Sequence, residues 1–352
     1  MPMRAALVLP GSIRALTGGS IYDRRIGEGL RDRGWSVEIV ALDSSFPVPT
    51  AAALESAAAA LARLPSRTVT IVDGLALGGM ADLVAREAGR LVFVALVHLP
   101  LGLEVGTDPD LARQLEMGER RALQYVRAVV ITGSSTVDAV AGRGVDRKNI
   151  HVVEPGTDCA AIARGSTAGP LHLLCVATLS EGKGHDVLLR ALAVHRHESW
   201  RLVCVGNQDR WPSTTARLRL LIAELGFEDR VALAGESCGD ALERAFDASD
   251  LFVLATRRET YGMAVAEALA HGLPVVSTTT GAIPELVGID AGLLVPPGDV
   301  DALSAALGRV LRDAALRGRL KEGACAARAR LRTWDDAVDR MTALISGIDK
   351  RG

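Results

Sequence analysis

Two glutamates, Glu259 and Glu267, stand with seven residues between them in the run Arg258-Glu-Thr-Tyr-Gly-Met-Ala-Val-Ala-Glu267, which continues into Gly272-Leu-Pro-Val-Val276. The apolar run Leu251–Leu254 comes just before them, so the pattern reads as a strand, a loop bearing Glu259 and a helix bearing Glu267. A helix opening near Tyr261 leaves the amides of Gly262 and Met263 without intrahelical partners, at the positive end of its dipole. Such a terminus suits a diphosphate. Eight residues of helix advance about 12 Å, comparable to the distance from hexose to ribose in a nucleotide sugar. Because a carboxylate accepts several hydrogen bonds from vicinal hydroxyls, one glutamate can hold the sugar and the other the ribose. The plainer alternative makes both of them surface glutamates, with Glu259 a dipole partner only; the buried strand before and Gly-Leu-Pro-Val-Val after speak against it.

A second candidate is Lys183, in the loop Val176-Ala-Thr-Leu-Ser-Glu-Gly-Lys-Gly-His185. Lysine otherwise occurs only at 148, 321 and 350, the remaining cationic side chains apart from histidine being arginine. Keeping a lysine between two glycines therefore points to a compact ammonium against a crowded phosphate. As a helix starter it would have the wrong sign for the dipole.

In the first half, Pro10-Gly11-Ser12 and Thr17-Gly18-Gly19-Ser20 separate the first strand from the first helix. Gly18 and Gly19 let backbone approach a ligand, and a helix from about Ser20 offers amides, although paired glycines alone are more often a plain turn. His98 closes the run Leu91–Val97 ahead of Leu99-Pro100, which puts it at a sheet edge as a ligand contact or a strand cap. His185 and His271 fall at helix ends. Asp108-Pro-Asp110 and Asp299-Val-Asp301 have DxD spacing, but the first reads as a turn and the second as a helix start, and neither follows a strand. No metal site is expected. Neutralising a leaving diphosphate then falls to Lys183, helix dipoles and backbone amides.

These residues need a scaffold, and the chain repeats one pattern: a short apolar run, a loop with Gly or Pro, then a stretch of helical length. The first-half strands are expected at Arg4–Leu9, Ser36–Leu42, Val69–Val72, Leu91–Val97, Ala128–Ile131 and Ile150–Val153. Those of the second half are expected at Leu171–Val176, Arg201–Val205, Val231–Ala234, Leu251–Leu254, Pro274–Ser277 and Gly292–Val295. Near-continuous hydrophobicity suits parallel strands covered on both faces, hence two doubly wound α/β domains. The boundaries are 1–155, a linker 156–169, 170–332, and a helix over 333–352 that packs back on the first domain. Ligands of open α/β sheets bind beyond the carboxyl ends of the strands, and small-molecule sites concentrate between domains.

With 352 residues and 49% hydrophobic content, two cores are affordable in size, and a net charge of −2 provides no field for nucleic acid. The five cysteines, at 159, 175, 204, 238 and 325, form no CxxC pair and read as buried small hydrophobes of a reducing compartment. No run is long enough to cross a bilayer, so a cytoplasmic location is expected, with membrane association at most peripheral. The segment Arg113 to Arg127 carries Arg113, Arg120, Arg121 and Arg127, interrupted by Glu116 and Glu119, and reads as a solvated face.

The stretch from Arg258, together with Gly281-Ala-Ile-Pro-Glu285 and Gly292-Leu-Leu-Val-Pro-Pro-Gly298-Asp299, resembles family 4 retaining glycosyltransferases of the GT-B fold. The resemblance covers essentially the whole chain and is strongest from Leu171 to Leu303. It implies an α/β GT-B architecture of two Rossmann-like domains facing across a cleft, and transfer of a hexose-type sugar from a nucleotide-diphosphate sugar, with no separate cofactor. The acceptor could be a small molecule, a glycan or a lipid-linked sugar. By that resemblance Glu259 contacts the transferred sugar, Glu267 the ribose and His98 the sugar, while the base is read by backbone around Gly235-Glu236. Lys183 matches the family's diphosphate lysine, but Thr178 stands where an arginine is usual, and Arg14, Arg257 and Arg258 are the candidates to replace it. Retention without a well-placed nucleophile implies front-face attack, the leaving phosphate taking the acceptor's proton. Alternatives are a silent GT-B partner subunit, a GT-B nucleotide-sugar epimerase and a nicotinamide dehydrogenase; the last lacks any GxGxxG after a strand.

Overall fold

The computed structural model describes residues 3–166 and 168–349. The chain divides into two units, Met1–Gly156 with Arg332–Gly352, and Thr157–Leu331. In the first, strands β1 (Arg4–Pro10), β2 (Ser36–Leu42), β3 (Val69–Asp73), β4 (Val92–Val97), β5 (Ala128–Ile131) and β6 (Ile150–Val152) make a parallel sheet ordered β2-β1-β3-β4-β5-β6. Successive strand side chains point to opposite faces. Accordingly Ala6, Val8, Val72 and Phe93 enter one core, and Ala5, Leu7, Leu9, Ile71 and Val94 another. This two-sided burial accounts for the unbroken apolar runs.

Helices α1 (Gly18–Asp32), α2 (Ala51–Arg63), α3 (Gly74–Gly79), α4 (Ala81–Glu87), α5 (Pro109–Ala122) and α6 (Val137–Ala141) cover the sheet. Helix α1 opens at Gly18, two residues before the expected start, because the Thr17 hydroxyl caps it by accepting from Ser20 N at 3.2 Å. Gly18 and Gly19 are therefore first-turn residues rather than loop. Asp108 also departs from its expected turn. Its carboxylate accepts from Asp110 N at 3.0 Å and Leu111 N at 3.1 Å, capping α5. Asp108→Ala is expected to cost about 1 kcal/mol of stability in urea melts; a variant as stable as the parent would show that the cap contributes nothing.

Nor is α5 wholly solvated. Glu119 is fully buried and forms an ion pair with Arg143, itself buried. Glu119 also accepts from Leu101 N at 3.1 Å, and Arg143 donates to Leu101 O at 2.7 Å. The loop that follows β4 is thus held by both its amide and its carbonyl. Burial pushes the Glu119 carboxyl up to about 7 against the opposing pull of Arg143.

In the second unit, β7 (Leu171–Val176), β8 (Trp200–Val205), β9 (Val231–Gly235), β10 (Leu251–Leu254), β11 (Val275–Thr278) and β12 (Gly292–Val295) form a parallel sheet ordered β12-β11-β10-β7-β8-β9. Its helices are α7 (His185–Ala193), α8 (Pro212–Leu225), α9 (Asp240–Asp247), α10 (Met263–Ala270), α11 (Ile283–Val287), α12 (Val300–Arg312) and α13 (Ala314–Ala327). Residues 157–166, expected as a linker, lie on this unit. Ala163 is buried in its core, Ala161 O hydrogen-bonds His271 Nδ1 at 3.1 Å, and Arg164 Nε pairs with Asp247 at 2.8 Å.

Helix α14 (Trp334–Asp349) belongs to the first unit. Thr333 and Asp336 cap it reciprocally, at 2.9 and 3.2 Å. Its Val338, Met341 and Ile345 fill the same core as Tyr22, Ile26 and Leu30 of α1. Contact is close enough that a Cβ at Gly29 would strike the Val338 side chain.

Candidate active site

In both sheets the strand order reverses, and at such a switch point the flanking loops part and leave a crevice at the carboxyl edge. The reversal in the second unit lies between β7 and β10, which pair through Leu173–Leu251 and Leu174–Phe252. The loop after β7 carries Lys183 and the loop after β10 carries Glu259. Their side chains meet: Lys183 Nζ lies 2.7 Å from Glu259 Oε2, both partly buried. Backbone bonds tie the loops together, with Arg257 N donating to Gly182 O at 2.7 Å and the Thr256 hydroxyl to the same oxygen at 3.1 Å. Gly184, at φ +66, lets the lysine loop press onto β10's end, where a Cβ would collide with Ala255 O.

The Glu259 loop is fixed from its other side as well. Thr280 Oγ1 accepts from Glu259 N at 3.3 Å, and Gly281, at φ +60, passes where a Cβ would strike Glu259 O. Helix α10 starts at Met263, two residues later than expected, because Gly262 takes φ 101 as its cap. Tyr261 turns inward and packs with Ala266 and Ala282. Among the described residues no side-chain hydrogen bond caps this helix end and its first turn carries no acid, and the positive end of a helix suits an anion. Glu267 sits on α10, half-buried.

Thr178 is half-buried beside this edge, its carbonyl accepting from Ser180 N at 2.8 Å. Of the arginines that could stand in for a basic residue there, Arg257 is committed, its guanidinium gripping Asp186 at 3.0 and 2.7 Å. Arg258 is exposed, and among the described residues nothing bonds its guanidinium; Arg14 lies in the first unit. Gly235, at φ +77, ends β9 and exposed Glu236 follows it. Gly235 O accepts from Gly206 N at 2.8 Å, joining the ends of β8 and β9.

The first sheet reverses between β1 and β3, where three side chains converge that local patterns did not connect. His98, just past β4, places Nε2 at 3.0 Å from Asp23 Oδ1 on α1 and 3.6 Å from Asp73 Oδ2 at β3's end. Tyr22 meets the imidazole edge-on at 5.3 Å, and a Cβ on Gly19 would sit 3.1 Å from the ring. Neither acid was singled out from the sequence: Asp73, at a strand end before glycine, carries a signal that could have found it, whereas Asp23 lies inside a helix with none.

The cysteines divide. Cys175 and Cys204 are buried on paired positions of β7 and β8, but Cys159 and Cys238 are exposed and Cys325 is intermediate, so the expectation of five buried thiols fails for three. His185 Nε2 lies 3.7 Å from Cys175 Sγ. Among the described residues, Cys175-His185-Cys204 and Asp23-Asp73-His98 each bring three donor atoms within 4.8 Å of one another. Neither DxD pair takes part. No helix of the described residues is long and apolar enough to cross a membrane.

Residues 170–313 match the family described as "Glycosyl transferases group 1". Over 298 residues, 78% of this chain and 71% of the relative, the sequence is 32% identical to a D-inositol 3-phosphate glycosyltransferase of Xylanimonas cellulosilytica. The chain belongs to the group 1 glycosyltransferases. A mannosylfructose-phosphate synthase of Agrobacterium fabrum is 31% identical over 58% of this glycosyltransferase, which spans only 49% of that relative's length. Among solved structures, a sucrose-phosphate synthase from Thermosynechococcus elongatus superposes over 99% of this chain and 100% of its own, with TM-score 0.82 at 21% identity. Anabaena Alr3699/HepE, in complex with UDP and glucose, does so over 97% and 99%, with TM-score 0.75 at 16% identity. The architecture of the glycosyltransferase is GT-B.

Proposed function

We propose that this glycosyltransferase moves a hexose-type sugar from a nucleotide-diphosphate sugar to a hydroxyl acceptor, with retention and without a metal ion. The observation that carries the reading is the Lys183–Glu259 pair, 2.7 Å apart at the β7–β10 switch point beside an uncapped helix end. A diphosphate on the amides of α10 draws Lys183 onto its oxygens. Glu259 is then released to accept from sugar hydroxyls, and Glu267 from the ribose. Arg258 is the remaining cation of this unit's candidates to share the diphosphate charge where the family arginine is replaced by Thr178. The Anabaena structure's UDP and glucose support a donor of this class.

In the proposed chemistry the glycosyl–phosphate bond breaks as the acceptor oxygen attacks the same face, and the departing phosphate takes the acceptor's proton. Preorganised cations and amides stabilise the charge that builds on the leaving group. Thermal-shift screening against UDP-, GDP-, ADP- and dTDP-sugars should single out one donor base, and the anomeric configuration of the product tests retention. Donor turnover is expected to survive EDTA treatment followed by desalting. Loss of turnover that Mg²⁺ or Mn²⁺ restores would refute the metal-independent part, and no stabilisation by any activated sugar would sink the whole reading.

A further inference from the structure

The glycosyl-transfer reading leaves two carboxylates unexplained. Asp23 and Asp73 are 1% and 5% exposed, buried where the first sheet reverses. Ionised carboxylates are seldom buried unless paired, and their shared partner is His98, whose side chain is 22% exposed and so is the outermost of the three. Asp73 has no freedom to turn away, since its Oδ1 accepts from Leu75 N at 2.7 Å as the cap of α3. Tyr22, at the ring edge, is pinned by its hydroxyl donating to Val153 O at 2.9 Å, and Gly19 closes over the ring, where a Cβ would sit a tight 3.1 Å from it.

We propose that Asp23 and Asp73 are positioning residues that hold His98 as an imidazolium, so that this unit offers a fixed positive charge to an electron-rich oxygen of a substrate. The inference rests on the glycosyl-transfer reading for its substrate, but not for the state of the ring. Burial of His98 favours the neutral ring, yet Asp23, through charge and hydrogen bond, and Asp73, through charge, outweigh it and raise the pKa above the usual 6.5. Burial and the neighbouring Asp23 in turn push Asp73 up to about 7. The ring, biased toward its charged form, is thus the outermost member of the group.

Among the described residues, the charges that act on the ring come from Asp23 on α1 and Asp73 at the β3–α3 junction; Tyr22, whose phenol burial pushes well up, stays neutral. NMR titration of the imidazoles, with His98→Gln to assign the signal, should find His98 above 6.5. In Asp23→Asn it should fall by about one pH unit or more, the effect of losing an opposite charge at this distance. Asp73→Asn should lower it by less. The alkaline limb of kcat/KM should move with the ring in Asp23→Asn, and whichever KM rises, donor or acceptor, names the substrate that meets the charge. A His98 that titrates at or below 6.5 overturns the proposal, as does one unmoved in Asp23→Asn, or a pH profile that keeps its limb while activity falls evenly. Stoichiometric capture of the ring by Zn²⁺ or Mn²⁺ would also overturn it, in favour of a metal site. Absence of transfer from every nucleotide sugar would instead sink the transferase reading, the NMR titration still deciding whether the ring is charged.

Discussion

Lys183→Ala and Glu259→Ala are each expected to slow sugar transfer on the order of a hundredfold or more, the usual consequence of removing one preorganised electrostatic contact from an active site. The two side chains are 2.7 Å apart without a donor. Deleting either therefore leaves the other partly buried and unpaired, and free to pair wrongly with the incoming substrate. The double variant should lose far less than the product of the single losses, because the pair acts as a unit. Lys183→Arg should rescue poorly. A planar fork needs more room than an ammonium, and Gly184 presses its loop against Ala255 while Gly182 O is held by Arg257 N at 2.7 Å. Steady-state kcat and donor KM decide the matter: wild-type rates in Lys183→Ala would remove the diphosphate assignment, and a trapped glycosyl adduct on Glu259 would replace front-face attack by double displacement.

The second large effect is on folding. Glu119→Ala is expected to destabilise the protein by about 3–5 kcal/mol, the penalty of stranding one member of a buried ion pair, because Arg143 is left buried without its carboxylate. Urea denaturation followed by circular dichroism measures it, and a loss below about 1 kcal/mol, the range of exposed pairs, would show the pair to be unimportant. Glu119→Gln keeps an acceptor for Leu101 N and should be milder. A sign for pH follows as well. Since the folded carboxyl titrates at about 7 against the usual 4.5, the folded state holds this proton more tightly. Its contribution is complete below 4.5 and is lost as pH rises through 7. Glu119→Gln should flatten that part of the stability profile.

Glu119 also marks where reading the chain alone stopped. Strands were legible because parallel strands buried on both faces leave unbroken apolar runs, and β5, β7, β10 and β12 fall at the expected residues. Lys183 and Glu259 were legible as a loop lysine after β7 and a loop carboxylate after β10, though not as partners. Helix starts slipped by two residues at Gly18 and Gly262, where a threonine cap and a positive-φ glycine decided the boundary. What escaped were charges whose meaning depends on residues far away. Asp23 meets His98 across 75 positions, and Glu119 meets Arg143 of the turn after α6; within their own segments both look like ordinary acids on amphipathic helices. Arg257 shows the converse, a promising cation already held by Asp186.

The return of α14 to the first unit bears on how the polypeptide matures. Thr157–Leu331 is one continuous stretch and can finish its own interior as soon as it has left the ribosome. The earlier-made portion cannot, because Val338, Met341 and Ile345, which seal the α1 side of its sheet, are translated only after that whole insertion. Tyr22, Ile26 and Leu30 thus wait with an uncovered greasy surface through the synthesis of the intervening segment, a window in which a holdase would find its binding site.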